Sequence, residues 1–323
     1  MSDSGLRRLR RRARGAVPSG RGLRAGMTVI EILIAMIMGL IVVSAATGFA
    51  LSTTRQLLKN EGREDYARKA RFIGMAFRRD VGEAGVSMSS SPGFGTVSVG
   101  GDTVVFLSRL WAPTEVPAYT VVWDTTSWTP VPDEGPCGSN CIFLRKDTLN
   151  NDIELVEGDV ALLTVGGGRR LLLITSVSNG SSSDSAEVEF ANIDSLLRYP
   201  ANLDSLTLMA NSSVYKLQMV AYWRNAADST LLRAMTMTTS GDLVGQVVAT
   251  EVIDWQTGVI FEDGTNATSI DPATAGRAFT NINAAWARAT IASDRNDPRD
   301  PTPLQRTYEW RAVPRNLLFE RNR

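Results

Sequence analysis

The sequence predicts an α+β protein, in which one long N-terminal helix precedes a large antiparallel β-sheet domain. Two observations predict this fold class. Ile32 to Leu51 is a run of 20 residues without a charge, and a helix of that length spans the ~30 Å apolar core of a membrane. From Asp102 onward the apolar residues change to a period of two, which is typical of strands. Because no long helical pattern separates those strands, a parallel sheet with crossover helices is not expected.

The helical pattern continues beyond the uncharged run. Six apolar residues recur at spacings of three and four and so share one face of a helix: Tyr66, Ala70, Ile73, Phe77, Val81 and Ala84. We predict a single helix from Met27 to Ala84, 58 residues and about 87 Å long. Its first part, 27–54, is the apolar segment, and 55–85 is an amphipathic continuation that packs on a sheet. A loop rich in Ser and Gly over 87–101 ends the helix.

Strand patterns fill the predicted head domain, 86–323. Tyr215–Trp223 alternates as a strand with one buried face does, and the five residues Asn225–Ser229 then lead into Thr230–Thr238, which predicts a hairpin. Leu162–Val165 and Arg169–Thr175 flank three glycines in a second predicted hairpin. One more strand is predicted near the end, with one face formed by Arg306, Tyr308, Trp310 and Ala312. Further strands are predicted at Val104–Leu110, Thr120–Trp123, Cys141–Arg145, Val247–Trp255 and Ala284–Ile291.

Charge and composition exclude several classes of function. Residues 1–26 carry eight arginines against one aspartate, a net charge of +7, and the remainder carries −7. An acidic remainder does not suit nucleic acid, because phosphates are neutralised by clustered Lys and Arg. The basic leader before an apolar helix instead favours an N-terminus that stays in the cytoplasm. The chain has no histidine, which removes Ser-His-Asp and Cys-His catalysis and imidazole metal sites, so we expect neither an enzyme nor a cofactor.

Glu31 directly precedes the uncharged run. A carboxylate at the edge of a membrane helix is costly, and such residues are usually kept for a function. Two simpler interpretations stay open. In one, Val43-Ser44-Ala45 is a signal peptidase site whose cleavage releases a soluble protein. In the other, the helix is a plain signal anchor.

The stretch Gly26-Met27-Thr28-Val29-Ile30-Glu31-Ile32-Leu33-Ile34 resembles the prepilin (class III) signal of type IV pilins and type II secretion pseudopilins. The resemblance implies that a prepilin peptidase cuts after Gly26, removes the 1–26 leader and N-methylates Met27. It also implies that Glu31 is an assembly residue, whose carboxylate pairs with the terminal ammonium of a neighbouring subunit in the filament core. The protein would lie in the inner membrane before assembly and in a surface pilus afterwards.

A second resemblance covers more of the chain. Ala67–Gly85, Gln246–Asp263, Ile282–Ser293 and Arg306–Asn316 resemble segments of PilW-type minor pilins. This implies a minor pilin that primes assembly of a type IV pilus and lies at or near its tip. Its partners would be other minor pilins, the major pilin, the prepilin peptidase and a large tip adhesin. A pseudopilin of type II secretion, of the J type, and a signal-anchored periplasmic binding protein are the other functions that stay open.

Cys137 and Cys141 are the two cysteines of the chain, and in an oxidising periplasm we expect them to form a disulfide. A loop of five residues makes that bond worth ~2 kcal/mol, so it holds one loop rather than the fold. Zinc would need two further soft ligands, and we predict no metal site. The oxygen-rich segments Asp147–Asp152 and Asp294–Asp300 are interpreted as polar turns, and Gly166–Arg170 as a turn rather than a phosphate loop.

Overall fold

The α+β fold class is confirmed by a computed structural model of the chain, in which one long helix precedes a large antiparallel β-sheet domain. The chain divides into two units, 1–55 and 56–323. The structure describes residues 28–88, 90–91, 93–109, 118–122, 140–145, 153–165, 168–178, 185–192, 212–294 and 303–314.

Helix α1 runs from Val29 to Glu83 without interruption. The apolar face predicted from its spacing is confirmed, because Tyr66, Ala70, Ile73, Phe77 and Val81 are all buried. The helix stops one residue before the predicted end, where the chain turns at Gly85 with a φ of +76°. Glycine adopts that conformation without steric cost.

The larger sheet is antiparallel throughout the described residues. Its main path runs β1-β2-β8-β5-β6-β7-β4, while β9 pairs with β8, β10 with β9, and β3 with β8. The central strand β8 therefore pairs with four others. These strands are β1 (Val97–Gly100), β2 (Thr103–Arg109), β3 (Tyr119–Thr120), β4 (Cys141–Arg145), β5 (Val160–Val165), β6 (Gly168–Ser178), β7 (Ser185–Asn192), β8 (Ser213–Asn225), β9 (Thr230–Met237) and β10 (Leu243–Ala249).

The smaller sheet has the order β12-β11-β13-β14 and is also antiparallel. A short 3-10 helix, Phe279–Asn281, leads into β13. The strands are β11 (Val252–Phe261), β12 (Asn266–Ala267), β13 (Ile282–Ala292) and β14 (Gln305–Ala312).

Most predicted strands are confirmed, but the predictions for 247–255 and for 87–101 are wrong. Val247–Trp255 is not one strand: the chain leaves the larger sheet after β10 and enters the smaller sheet at β11. The break falls at Glu251, which takes a φ of +58°. The predicted loop over 87–101 contains a strand, β1, whose Val97 and Val99 are buried. The predicted strand Thr120–Trp123 is described only as far as 122, and Trp123 lies outside the described residues.

Strand β8 was predicted to bury one face, and this is wrong because both of its faces are covered. Val220 and Tyr222 are buried in the core that contains α1. Leu217, Met219 and Ala221, on the opposite face, are buried in a second cluster. The segment that follows α1 contributes Met88 and Phe94 to that second cluster and so covers the second face.

The main core lies where α1 meets both sheets. The ring of Phe77 makes edge-on contacts with Phe106 and Tyr222 of the larger sheet, at centroid distances of 5.7 and 6.2 Å. It also contacts Trp255 of the smaller sheet at 6.5 Å. Such aromatic pairs stabilise a core by about 0.5–1.5 kcal/mol each beyond the area they bury. One helical side chain therefore joins the two sheets.

Two helical glycines allow β14 and the residues between β13 and β14 to approach α1 closely. A Cβ added at Gly74 would lie 2.2 Å from Nε1 of Trp310, whose indole is buried against the helix. A Cβ added at Gly62 would lie 3.0 Å from Oγ of Ser293. The contact at Gly74 requires the absence of a side chain, whereas a Cβ at Gly62 would need Ser293 to shift by a few tenths of an ångström.

Replacing Gly74 by Ala is expected to lower the free energy of unfolding by about 1–3 kcal/mol, because the Trp310 indole must move from its buried position. Gly82 is the matched control on the same helix, since a Cβ there meets nothing within 4 Å. Gly82→Ala should raise stability by up to about 1 kcal/mol through helix propensity. Urea unfolding of the full chain in neutral detergent, followed by tryptophan fluorescence, measures both variants. Equal stability of the two would contradict the close packing.

Candidate functional site

The first part of α1 exposes apolar side chains all around the helix. Val29, Met36 and Phe49 are 78%, 71% and 75% exposed, and every residue from Ile32 to Leu51 is exposed. Exposed apolar surface costs roughly 25 cal/mol per Å² in water, so this segment requires apolar surroundings. Within the part of the chain that the structure describes, α1 is the one helix long and apolar enough to cross a membrane.

Glu31 caps its own helix at the start of this segment. The backbone N–H of Thr28 donates to Glu31 Oε2 at 2.9 Å, and the Thr28 hydroxyl donates to the same oxygen at 3.1 Å. In return, the N–H of Glu31 lies 3.4 Å from Thr28 Oγ1. This reciprocal arrangement is a capping box, which satisfies backbone donors that a helix N-terminus leaves unpaired. The capping box was not predicted from the sequence, although the spacing Thr-x-x-Glu is its signature.

The capping box occupies only half of the Glu31 carboxylate. Both hydrogen bonds reach Oε2, and among the described residues none reaches Oε1. A negative charge in the first turn is also favourable near the positive end of the helix dipole. Glu31 therefore stabilises the start of α1, and its Oε1 accepts no hydrogen bond from the described residues.

The other predicted site residues are only partly described. Gly26, Met27 and Cys137 lie outside the described residues. Cys141 is disulfide-bonded, and no described cysteine is free, but its pairing with Cys137 stays a prediction. Of the two oxygen-rich segments, Asp294 is described, and its carboxylate accepts from Lys69 Nζ at 2.8 Å.

A buried charged cluster attaches α1 to the larger sheet. The side chain of Asp80 is 1% exposed. Its Oδ2 accepts from the Tyr222 hydroxyl of β8 and, at 2.7 Å, from Nε of Arg233 of β9. Its Oδ1 accepts from Nε of Arg79 at 3.1 Å. A buried carboxylate is tolerated because these donors compensate its lost hydration.

The Tyr222 hydroxyl is held as a neutral donor in this cluster. Burial, together with the hydrogen bond to the Asp80 carboxylate, raises the pKa of Tyr222 well above its usual range. The guanidinium of Arg233 lies 5.9 Å from the centre of the same ring. The cluster therefore fixes how α1 packs on the β8–β9 hairpin. The cluster was not predicted from the sequence, because Tyr222 and Arg233 lie 142 and 153 residues from Asp80.

No protein-family model matches the chain, and no curated protein or solved structure matches it. The class of protein therefore follows from the fold and from the apolar helix. That class is an α+β protein with a helix long and apolar enough to cross a membrane.

Asp80→Ala is expected to lower the free energy of unfolding by about 3–5 kcal/mol, because it leaves the partly buried Arg233 cation without its partner. Glu64→Ala is the matched control, since Glu64 is an exposed acid on the same helix and its loss should change stability by no more than about 0.5 kcal/mol. Thermal unfolding followed by circular dichroism measures both. If both variants lose the same small amount, Asp80 does not hold the helix on the sheet.

Proposed function

We propose that this chain is a minor pilin of a type IV pilus, similar to the PilW type, that primes assembly and lies at or near the pilus tip. The observation that carries the proposal is Glu31, a carboxylate at the start of an exposed apolar helix, one of whose oxygens accepts no hydrogen bond from the described residues. The prepilin-like sequence around Gly26 and Met27 supports the same assignment.

A membrane anchor alone accounts for the apolar segment but not for Glu31. The capping box explains why a carboxylate suits the N-terminus of α1, yet Thr28 by itself caps a helix well. An additional carboxylate beside 20 uncharged residues costs several kcal/mol in an apolar environment unless a cation pairs with it. The terminal ammonium of a neighbouring subunit would supply that cation, and it would reach Oε1 while Thr28 holds Oε2. Packing of apolar helices would then be favourable in one register only.

The size of the part that follows α1 favours a scarce subunit. About 240 residues follow Gly85, and a compact body of that length has a radius of gyration near 18 Å. Packed helices in a filament core lie only about 8–10 Å apart. Domains of this size would crowd one another if each core helix carried one, whereas a tip has free space.

Two variants of Glu31 separate its proposed role in docking from its role in capping. Glu31→Gln keeps an oxygen that accepts from Thr28 but removes the charge, and Glu31→Ala removes both. We expect both variants to enter the membrane fraction normally and to be depleted at least about tenfold from sheared filaments, since one lost charge pair is worth more than 1.4 kcal/mol. Quantitative mass spectrometry of both fractions gives the ratio. Normal incorporation of the Gln variant would show that Glu31 only caps the helix.

The same filaments test the identity of the subunit. We expect an N-methylated Met27 as the first residue, far fewer copies than the most abundant pilin, and few surface pili after deletion of the gene. Parity with the most abundant pilin would contradict a minor role. A mature start at Ala46 would contradict the pilin assignment altogether. Loss of protein export with normal pili would identify a secretion pseudopilin instead.

A further inference from the structure

Strand β10 forms an edge of the larger sheet. It pairs with β9 on one side, and among the described residues its backbone forms no hydrogen bond on the other side. The strand is seven residues long, and its middle residues, 244–247, are all exposed. An edge strand of this kind presents unpaired N–H and C=O groups, to which an additional strand can bind.

The side chains of β10 do not protect this edge. Leu243–Ala249 contains no charged residue and no proline, although both commonly protect edge strands from pairing. Two of its exposed side chains are apolar, since Val244 and Val247 are 48% and 60% exposed. By contrast β14, an edge strand of the smaller sheet, has three charged residues among its eight. An apolar strand can therefore approach β10 without meeting a charge.

Bulges at both ends of β10 limit the length that a partner can pair with. The register with β9 shifts between Leu243 and Gly245 and again between Val247 and Ala249. Between these shifts, residues 245–247 pair regularly with residues 232–234 of β9. Because a bulge bends the strand and increases its twist, the edge suits one short partner strand better than a long one.

The chain on both sides of β10 carries only negative charge. Asp242 precedes the strand and Glu251 follows it closely, and both are exposed. From residue 234 to residue 276 there are six acidic residues and neither lysine nor arginine. Arg233, on the neighbouring strand, is already paired with Asp80. Carboxylates at both ends of an uncharged strand favour a partner strand whose own ends are positive.

We propose that β10 binds an extended segment of another protein, which adds a strand to the larger sheet. The centre of that segment is short and uncharged, with apolar side chains at alternate positions, and its ends carry lysine or arginine. Main-chain hydrogen bonds to β10 provide the affinity, while the two exposed valines and the two flanking acids provide the specificity. The inference concerns the larger sheet alone and does not rest on the proposed pilus function.

The probe is the peptide fluorescein-Lys-Thr-Val-Thr-Val-Thr-Lys-amide, added to the full chain in neutral detergent, with empty micelles as the blank. Fluorescence anisotropy gives its Kd, and hydrogen exchange followed by mass spectrometry locates the binding site. We expect binding to slow the exchange of backbone amides in β10. One control peptide has glutamate in place of both lysines. A second is N-methylated at every central residue, which removes the main-chain donors that a strand needs.

Val247→Lys places a cation on the exposed edge. It should weaken binding of the lysine-ended peptide by at least about tenfold, because like charges then meet at the contact. Val156→Lys is the matched control, since Val156 is 59% exposed and lies outside the strands, and it should leave the Kd unchanged. Asp242→Asn and Glu251→Gln should each weaken binding by about two- to fivefold, as loss of an exposed ion pair does. Circular dichroism checks that each variant is folded.

The proposal is overturned if the lysine-ended peptide fails to bind, or if either control peptide binds equally well. It is also overturned if Val247→Lys and Val156→Lys bind the peptide alike, or if the slowed exchange lies outside β10. Sedimentation of the chain without peptide tests a second copy as the occupant. A dimer that Val247→Lys dissociates would mean that β10 pairs with its own copy and not with another protein. None of these measurements depends on filament assembly.

Discussion

The apolar stripe of α1 from Tyr66 to Val81 is the constraint on which the second unit depends. It provides the surface on which both sheets are buried, and Phe77 contacts aromatic rings of each sheet. A sheet with one uncovered apolar face is not stable alone, so the larger and the smaller sheet both require this helix. Apolar packing alone would allow α1 to shift along the sheets. The hydrogen bonds that Asp80 accepts from β8 and β9 fix the position of the helix, because they can form in only one alignment. The close approach at Gly74 does the same for β14.

Elements with a local pattern could be predicted from the sequence. Features that depend on contacts between distant residues could not. The stripe of α1 follows from spacings of three and four, and the hairpins follow from short connections between alternating segments. The alternation in β8 suggested one buried face, but α1 and the segment around Met88 cover both faces. The break between β10 and β11 falls at Glu251, where neither glycine nor proline marks the change of sheet. Polar groups such as Asp80 appear in sequence as ordinary surface residues until the fold brings their partners to them.

Glu31 has two physical roles to explain, one within its own helix and one in the proposed contact with another subunit. Glu31 places a charge beside an uncharged segment, which indicates a contact outside the helix. Its hydrogen bonds also give it a role within its own helix. The local role does not remove the proposed one, because the two use different oxygens. Removal of the Glu31 side chain therefore has two effects at once, because it disturbs the helix start and also removes the charge. An amide at this position separates these two effects.

The order of elements along the chain has a consequence for synthesis. The stripe of α1 is made before every described strand, whereas β13 and β14, which cover it on the side of the smaller sheet, are made after the other described strands. Contacts between residues so far apart in sequence close slowly, because a long loop must be ordered first. Until β14 emerges, the helix is covered on one side at most, and partly made chains expose apolar surface that favours aggregation. A ribosome that stalls before β14 therefore leaves a chain in which Gly74 faces open space instead of the indole of Trp310.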